Sequence, residues 1–329
     1  MLLPNLGVPD ADAWRQGWLQ RLQRVPLAAE VDERLLWGLA LPLLRSIEQS
    51  LEQNPAWRPV VAITAPVGAG KSTLANQLKA LAGAMGVSLA VASIDDAYRS
   101  WPEREQRLAG NPFGVTRVPP GSHDPALLLQ AIQRWQAGEA LQLPRFDKTR
   151  CGGLGDRSGF TTVPADALLL EGWLVGYEPV GASALASWLA GPAHAMGAAV
   201  PLSPLERAWL PRWDQELAAY QELWNRCDSF WLLQPNQWSS VLRWRLQAEA
   251  RQRRQSGGSL EATAVVSLVR ASLASLPPDL YQNRLLAKAR AVAILGSRRQ
   301  CLRVIARPED RTSSTGQLSE QLGNDQAVL

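Results

Sequence analysis

Ala65-Pro66-Val67-Gly68-Ala69-Gly70-Lys71-Ser72-Thr73 decides the fold of this 329-residue chain, because it joins two segments of different periodicity. Before it, Pro59 is followed by Val60-Val61-Ala62-Ile63, a continuous apolar run that suits a strand buried on both faces of a parallel sheet. After it, Leu74, Leu78 and Leu81 recur at helical spacing. The order strand, glycine loop, helix is that of a loop built to cradle phosphate. Glycines at 68 and 70 let backbone N–H groups turn inward around phosphate oxygens, and the helix N-terminus adds its partial positive charge. Gly68, Ala69, Gly70, Lys71, Ser72 and Thr73 then hold the nucleotide. Lys71 reaches its β- and γ-phosphates and the Ser72 hydroxyl serves as a ligand to Mg²⁺. Ala65 stands where the strict pattern has glycine, which matters only if that position needs positive φ.

Hydrophobic content of 46% with 19% charged residues marks a globular chain, long enough to bury a substantial core. The net charge of +4 is not massed in one tail, so the basic residues are read as serving phosphorylated small molecules and no nucleic-acid partner is expected. Three cysteines, at 151, 227 and 301, lack metal spacing and leave one unpaired, which points to a reducing, cytoplasmic setting. The first ten residues lack the basic start and apolar stretch of a signal peptide. Val180 to Leu205 carries no charge and is long enough to raise a membrane helix, but Pro192, Pro201 and Pro204 favour a surface insertion or loop. No membrane partner is expected, His194 is read as ordinary, and a monomer is favoured.

Residues 1–57 carry helical spacing, with Trp14, Trp18 and Leu22 and then Leu35, Leu36, Leu39, Leu43 and Ile47, and are read as an N-terminal helical extension. Its tryptophans are read as core anchors. Across 58–307, apolar runs at 60–64, 89–94, 167–170, 229–233, 292–295 and 302–305 alternate with helical or loop segments. That alternation predicts an α/β fold with a doubly wound, mostly parallel sheet, whose ligands sit at the carboxyl ends of the strands. Residues 180–212 are read as an insertion, 243–260 as a lid and 308–329 as a polar tail.

The chemistry is therefore sought just after each strand. Asp95 and Asp96 follow the second run; Asp95 is the candidate general base for an attacking hydroxyl, the alternative being that the pair caps the next helix. Glu171, ending an all-apolar strand, is the candidate contact for Mg²⁺ or its water shell. The segment 243–254 holds five arginines, of which Arg243, Arg251 and Arg254 share a face with Gln247. They form either a guanidinium stripe that closes over phosphates or a solvated helix with a Glu249–Arg253 pair. Gly121-Ser122-His123-Asp124, Leu143 to Lys148 and Gly152 to Arg157 each mix turn residues with charges suited to a small polar substrate. His123 is either a substrate hydrogen-bonder or structural. Gly257-Gly258 comes after the Glu171 strand, the wrong order for a transporter ATPase, and no Asn-Lys-x-Asp guanine-reading motif is present. Both classes are disfavoured.

Taken in order, APVGAGKST, SIDDAY, GSHD, LPRFDK followed by GLGDR, LLLEGWLVGY and WRLQAE, from residue 65 to 249, resemble the uridine kinase, phosphoribulokinase and pantothenate kinase branch of the P-loop kinases. Within that branch the chain is most similar to the D-glycerate 3-kinase family of plants and cyanobacteria. The resemblance implies a P-loop kinase fold and ATP-dependent phosphorylation of D-glycerate to 3-phosphoglycerate, as in photorespiratory salvage. It implies Asp95 as base, with Lys71 and Arg245 in the catalytic group and Arg243 in the lid at the nucleotide. Ser72 and Glu171 are implied at Mg²⁺, and His123, Asp124, Arg145, Asp147, Lys148 and Arg157 around the substrate. Two departures stand out: the apolar stretch from Gly181 to Arg212, and Ala97 where the family usually has a second aromatic. A sister kinase acting on pantothenate, a nucleoside or a sugar phosphate, and a non-catalytic nucleotide-binding regulator, are the alternatives.

Overall fold

The computed structural model describes residues 2–26, 31–191, 200–256 and 260–307. His194, Gly257, Gly258 and the tail from 308 lie outside the described residues. The main sheet has the order β2-β5-β1-β6-β7-β8. Its strands are β1 (Val60–Thr64), β2 (Leu89–Ser93), β5 (Ala167–Gly172), β6 (Ser229–Pro235), β7 (Ala289–Leu295) and β8 (Cys301–Ala306). All neighbours run parallel except β8, an antiparallel edge strand on β7. Each of the six apolar runs became one of these strands.

The central strands are buried on both faces because successive residues feed two different cores. Val60, Ala62, Leu168, Leu170, Phe230 and Leu232 join one cluster with Trp135, Trp213 and Tyr220. Val61, Ile63, Ala167, Leu169, Trp231 and Leu233 join the other with Leu74, Leu78 and Leu81 of the helix Lys71–Gly83. Continuous apolar runs are what such two-sided burial demands. The second core also takes Trp18 from the helix Ala11–Leu22 and Leu41, Leu43, Leu44 and Ile47 from Leu41–Gln53. The segment expected as an extension therefore supplies core. Asp32 accepts the Cys301 N–H at 2.6 Å and Arg34 donates to the Leu302 carbonyl at 2.9 Å, which ties it to β8.

An antiparallel hairpin, β3 (Leu141–Asp147) and β4 (Asp156–Val163), stands apart from the main sheet and was not anticipated as strands. Pro144 and Gly159 break the strand signature in the sequence. The ladder absorbs the proline through a register shift between Pro144 and Phe146. The buried Arg104 holds the hairpin turn to the body, donating to the Leu154 and Gly155 carbonyls at 2.8 and 2.6 Å, with Phe146 beneath its guanidinium.

Within 180–212, the described helices are Ala182–Ala190 and the start of Pro204–Glu216, with Pro204 in the first turn behind a Ser203–Glu206 capping box. No helix of the described residues is long and apolar enough to cross a membrane. Buried Asp214 anchors the segment, accepting the Val180 and Gly181 N–H groups at 2.7 and 3.0 Å and the Tyr281 hydroxyl at 2.9 Å. Asp214→Ala leaves two buried donors, the Val180 N–H and the Tyr281 hydroxyl, unpaired and is expected to lower stability by about 2 kcal/mol or more. A denaturant titration checks this; an unchanged midpoint and slope would contradict the anchoring role.

Candidate active site

At the carboxyl end of β1 the chain turns through Gly68 at φ 77° and Gly70 at φ 98°, and Gly70 caps the helix that begins at Lys71. Ala65 is not among the positive-φ residues; it is 1% exposed and its N–H donates to the Gly172 carbonyl at 3.1 Å. Alanine therefore costs this position nothing. Lys71 Nζ donates to the Pro66 carbonyl at 3.3 Å, closing the loop on itself. Burial pushes the Lys71 ammonium down, while Glu171 and Asp95 pull it up. An incoming phosphate would add to that pull.

Register places the acids. β5 lies between β1 and β2, with Glu171 opposite both Ile63 and Ser93. Glu171 is 7% exposed, and burial raises its carboxyl against the opposing field of Lys71. Ser72 Oγ donates to Glu171 Oε1 at 3.4 Å. A hydroxyl and a carboxylate side by side are hard oxygen donors, the set Mg²⁺ takes when phosphate oxygens and water complete its shell. Mg²⁺ fits this pair.

Asp95 and Asp96 occupy the 3₁₀ turn Ile94–Ala97 directly after β2. The cap of that turn is Ser93, whose Oγ accepts the Asp95 N–H at 3.3 Å, so the two carboxylates are left for other partners. Asp95 Oδ2 accepts from Lys148 Nζ at 3.1 Å, and its Oδ1 faces His123 Nε2 at 4.0 Å. Burial pushes Asp95 up, but Lys148 and His123 outweigh it and hold the carboxyl well below its usual range. Asp96 faces Arg145 at 3.6 Å and is raised, chiefly by burial.

The β3–β4 hairpin brings the remaining cations to these acids. Lys148 and Arg145 point at Asp95 and Asp96, while Arg157 donates to Asp124 at 2.9 Å and to the Tyr98 carbonyl at 3.2 Å. Arg145 also donates to Thr161 Oγ1 at 3.2 Å. Two residues expected around a substrate are turned elsewhere. Asp147 accepts the Thr149 N–H and hydroxyl at 2.8 and 2.6 Å, bracing its own turn. His123 is 0% exposed and lies behind Asp95.

The helix Ser240–Ser256 carries the arginines and packs backbone to backbone on the phosphate loop. A Cβ on Gly68 would sit 2.7 Å from Arg245 N and 2.9 Å from Trp244 C. Arg245 pairs with Glu249, which also accepts the Leu260 N–H at 3.1 Å, where the solvated-helix alternative had paired Glu249 with Arg253. Arg243 donates to the Ser297 carbonyl at 2.9 Å. Arg299, which sequence reading missed, donates to the Gly68 carbonyl at 2.8 Å and the Trp244 carbonyl at 2.6 Å, stapling loop to helix from φ 68°. It lies just beyond the carboxyl end of β7, where the strand-end rule would have found it. Gly68→Ala combines a disfavoured φ with a backbone clash. It is expected to weaken nucleotide binding by about tenfold or more, equivalent to roughly 1.4 kcal/mol. Calorimetric titration with ATP checks it, and wild-type affinity would contradict the close packing.

No family model matches the chain. It is 29% identical over 229 residues to a Schizosaccharomyces pombe kinase described as uncharacterized, covering 63% of this chain and 75% of that one. It is 31% identical over 217 residues to the chloroplastic D-glycerate 3-kinase of Arabidopsis thaliana, covering 61% of this chain. The match spans 44% of the Arabidopsis protein, less than half its length. Among solved structures, the D-glycerate 3-kinase of Cryptococcus neoformans aligns at a TM-score of 0.70 with 24% identity, over 82% of this chain and 99% of that one. That likeness is one of fold. By sequence the chain is similar to kinases, and by fold to a solved D-glycerate 3-kinase.

Proposed function

We propose that this chain is an ATP-dependent D-glycerate 3-kinase. The observation that carries the reading is Asp95, a carboxylate at the end of β2 beside the phosphate loop, with Lys148 of the β3–β4 hairpin on its carboxylate and Arg145 on the neighbouring Asp96. The similarity to the Arabidopsis and Cryptococcus D-glycerate 3-kinases supports the choice of acceptor.

In this reading Asp95, held ionised by Lys148, accepts the proton of the acceptor hydroxyl as its oxygen attacks the γ-phosphorus in line with the leaving ADP oxygen. Lys71 sits against the β- and γ-phosphates, and Arg245 turns from Glu249 to the transferring group, where its charge offsets the charge that builds there. Ser72 and Glu171 hold Mg²⁺, which when bound neutralises charge on the phosphate oxygens. A glycerate carboxylate is suited to a two-pronged guanidinium contact. Arg157 commits Nε to the Tyr98 carbonyl and a terminal nitrogen to Asp124 at 2.9 Å, whereas Arg145 commits Nε to Thr161 and holds Asp96 only at 3.6 Å, so the terminal nitrogens of Arg145 are the ones better placed to turn to it.

ATP turnover measured against D-glycerate, pantothenate, nucleosides and sugar phosphates tests the proposal, and no activity with D-glycerate would sink it. Asp95→Asn is expected to cut kcat by roughly 10²–10⁴ while ATP binding stays near wild type. Unchanged function in that variant would favour the non-catalytic regulator instead.

The pH dependence has a definite sign. A carboxyl whose folded value is depressed contributes stability above its unfolded value and loses it as pH falls through the folded value. Asp95 therefore stays ionised below the usual carboxylate range, and the acid limb of kcat against pH should not show it there. Lys148→Met removes the strongest opposing charge and should move an acid limb upward toward ordinary carboxylate values. Superimposable wild-type and variant profiles would contradict this role for Lys148.

A further inference from the structure

We infer that His123 is a positioning residue for Asp95, its Nε2–H directed at the carboxylate and its tautomer set by Tyr220. The inference rests on the kinase reading for its consequence but not for its geometry. His123 was a candidate substrate contact, and burial removes that role: the ring is 0% exposed. What it faces is the residue that takes the substrate's proton.

The direction of the imidazole follows from a count of donors. Nδ1 lies 3.0 Å from the Tyr220 hydroxyl and 3.4 Å from the Ser122 hydroxyl. The Tyr220 oxygen accepts the Gly121 N–H at 3.4 Å and the His123 backbone N–H, which fills its acceptor sites and leaves the phenolic proton for Nδ1. Burial pushes the imidazole down, so the ring is neutral and carries one proton. With Nδ1 accepting, that proton is on Nε2.

Nε2 is buried and has no hydrogen-bond partner among the described residues, and Asp95 Oδ1 stands 4.0 Å away. That gap is longer than a hydrogen bond, and contacts of this kind tighten when substrate closes a site. Tyr98 stacks on the imidazole with ring centroids 4.3 Å apart and an interplanar angle of 16°, and its backbone bridges to His123, so the ring cannot tip away. Of the other groups that face Asp95, Tyr98 is buried and Lys148 is an exposed side chain on the hairpin, free to move with the substrate. His123, stacked on Tyr98, is a rigid contact that carries a nitrogen toward Asp95. It fixes one carboxylate oxygen and leaves the outward edge of Asp95 to the acceptor hydroxyl.

Three full-length variants test this. His123→Phe keeps a ring against Tyr98 but removes the N–H, His123→Gln restores an N–H of similar reach, and Tyr220→Phe removes the hydroxyl that sets the tautomer. The first is expected to lower kcat roughly ten- to a hundredfold with KM for ATP and acceptor within about threefold, and His123→Gln to recover part of that loss. Nitrogen-15 NMR of the imidazole should show Nε2–H in the wild type and a shift toward Nδ1–H in Tyr220→Phe. A folded His123→Phe protein with wild-type kcat, or a wild-type ring protonated at Nδ1, would overturn the inference. The NMR arm needs no acceptor, so a wild type that fails to phosphorylate D-glycerate would remove the glycerate reading while this one still stood or fell on the tautomer.

Discussion

The parallel pairing of β5 between β1 and β2 is the constraint from which the site follows. Its register sets Glu171 across from Ile63 on one side and Ser93 on the other, so three strands end at one level. Immediately beyond that level lie the phosphate loop, Glu171 and the turn that carries Asp95. A one-residue slip of β5 would send Glu171 to the opposite face and into an apolar core. With Leu168, Leu169 and Leu170 apolar on both faces, it is Glu171, buried beside Ser72 and Lys71, whose carboxylate opposes the slip.

The cost of that convergence is a group of ionisable side chains held out of water. Burial pushes Glu171 up and Lys71 down, each against the field of the other, and Asp95 escapes the same fate only through Lys148 and His123. The body of the fold provides the anions and the loop, while the β3–β4 hairpin provides Arg145, Lys148 and Arg157 from one side. The helix Ser240–Ser256 closes the other side, pressed on Gly68 and stapled there by Arg299. A polar centre assembled from two separate flanking elements can be remade around a ligand without disturbing the sheet.

Much of this was legible in the sequence for a physical reason: strands buried on both faces must be apolar throughout, which marked the central strands, while the half-buried edge strand β8 was marked by its apolar run alone. The phosphate loop was equally plain, since positive φ at 68 and 70 requires glycine. The hairpin was hidden because Pro144 and Gly159 carry the signature of loops, and only tertiary pairing overrides it. Side-chain direction was hidden too. The letters of GSHD do not say that His123 points inward at Asp95, nor those of WRLQAE that Arg245 turns to Glu249. The N-terminal segment looked appended because its leucines have helical spacing, and spacing does not reveal which core they enter.

The account stands most directly on the identity of the product. Incubating the protein with ATP, Mg²⁺ and D-glycerate and reading the phosphorus–proton couplings of the product by NMR locates the new ester bond. The account predicts phosphate on the 3-hydroxyl, as 3-phosphoglycerate, and phosphate on the 2-hydroxyl or no phosphorylated glycerate at all would contradict it.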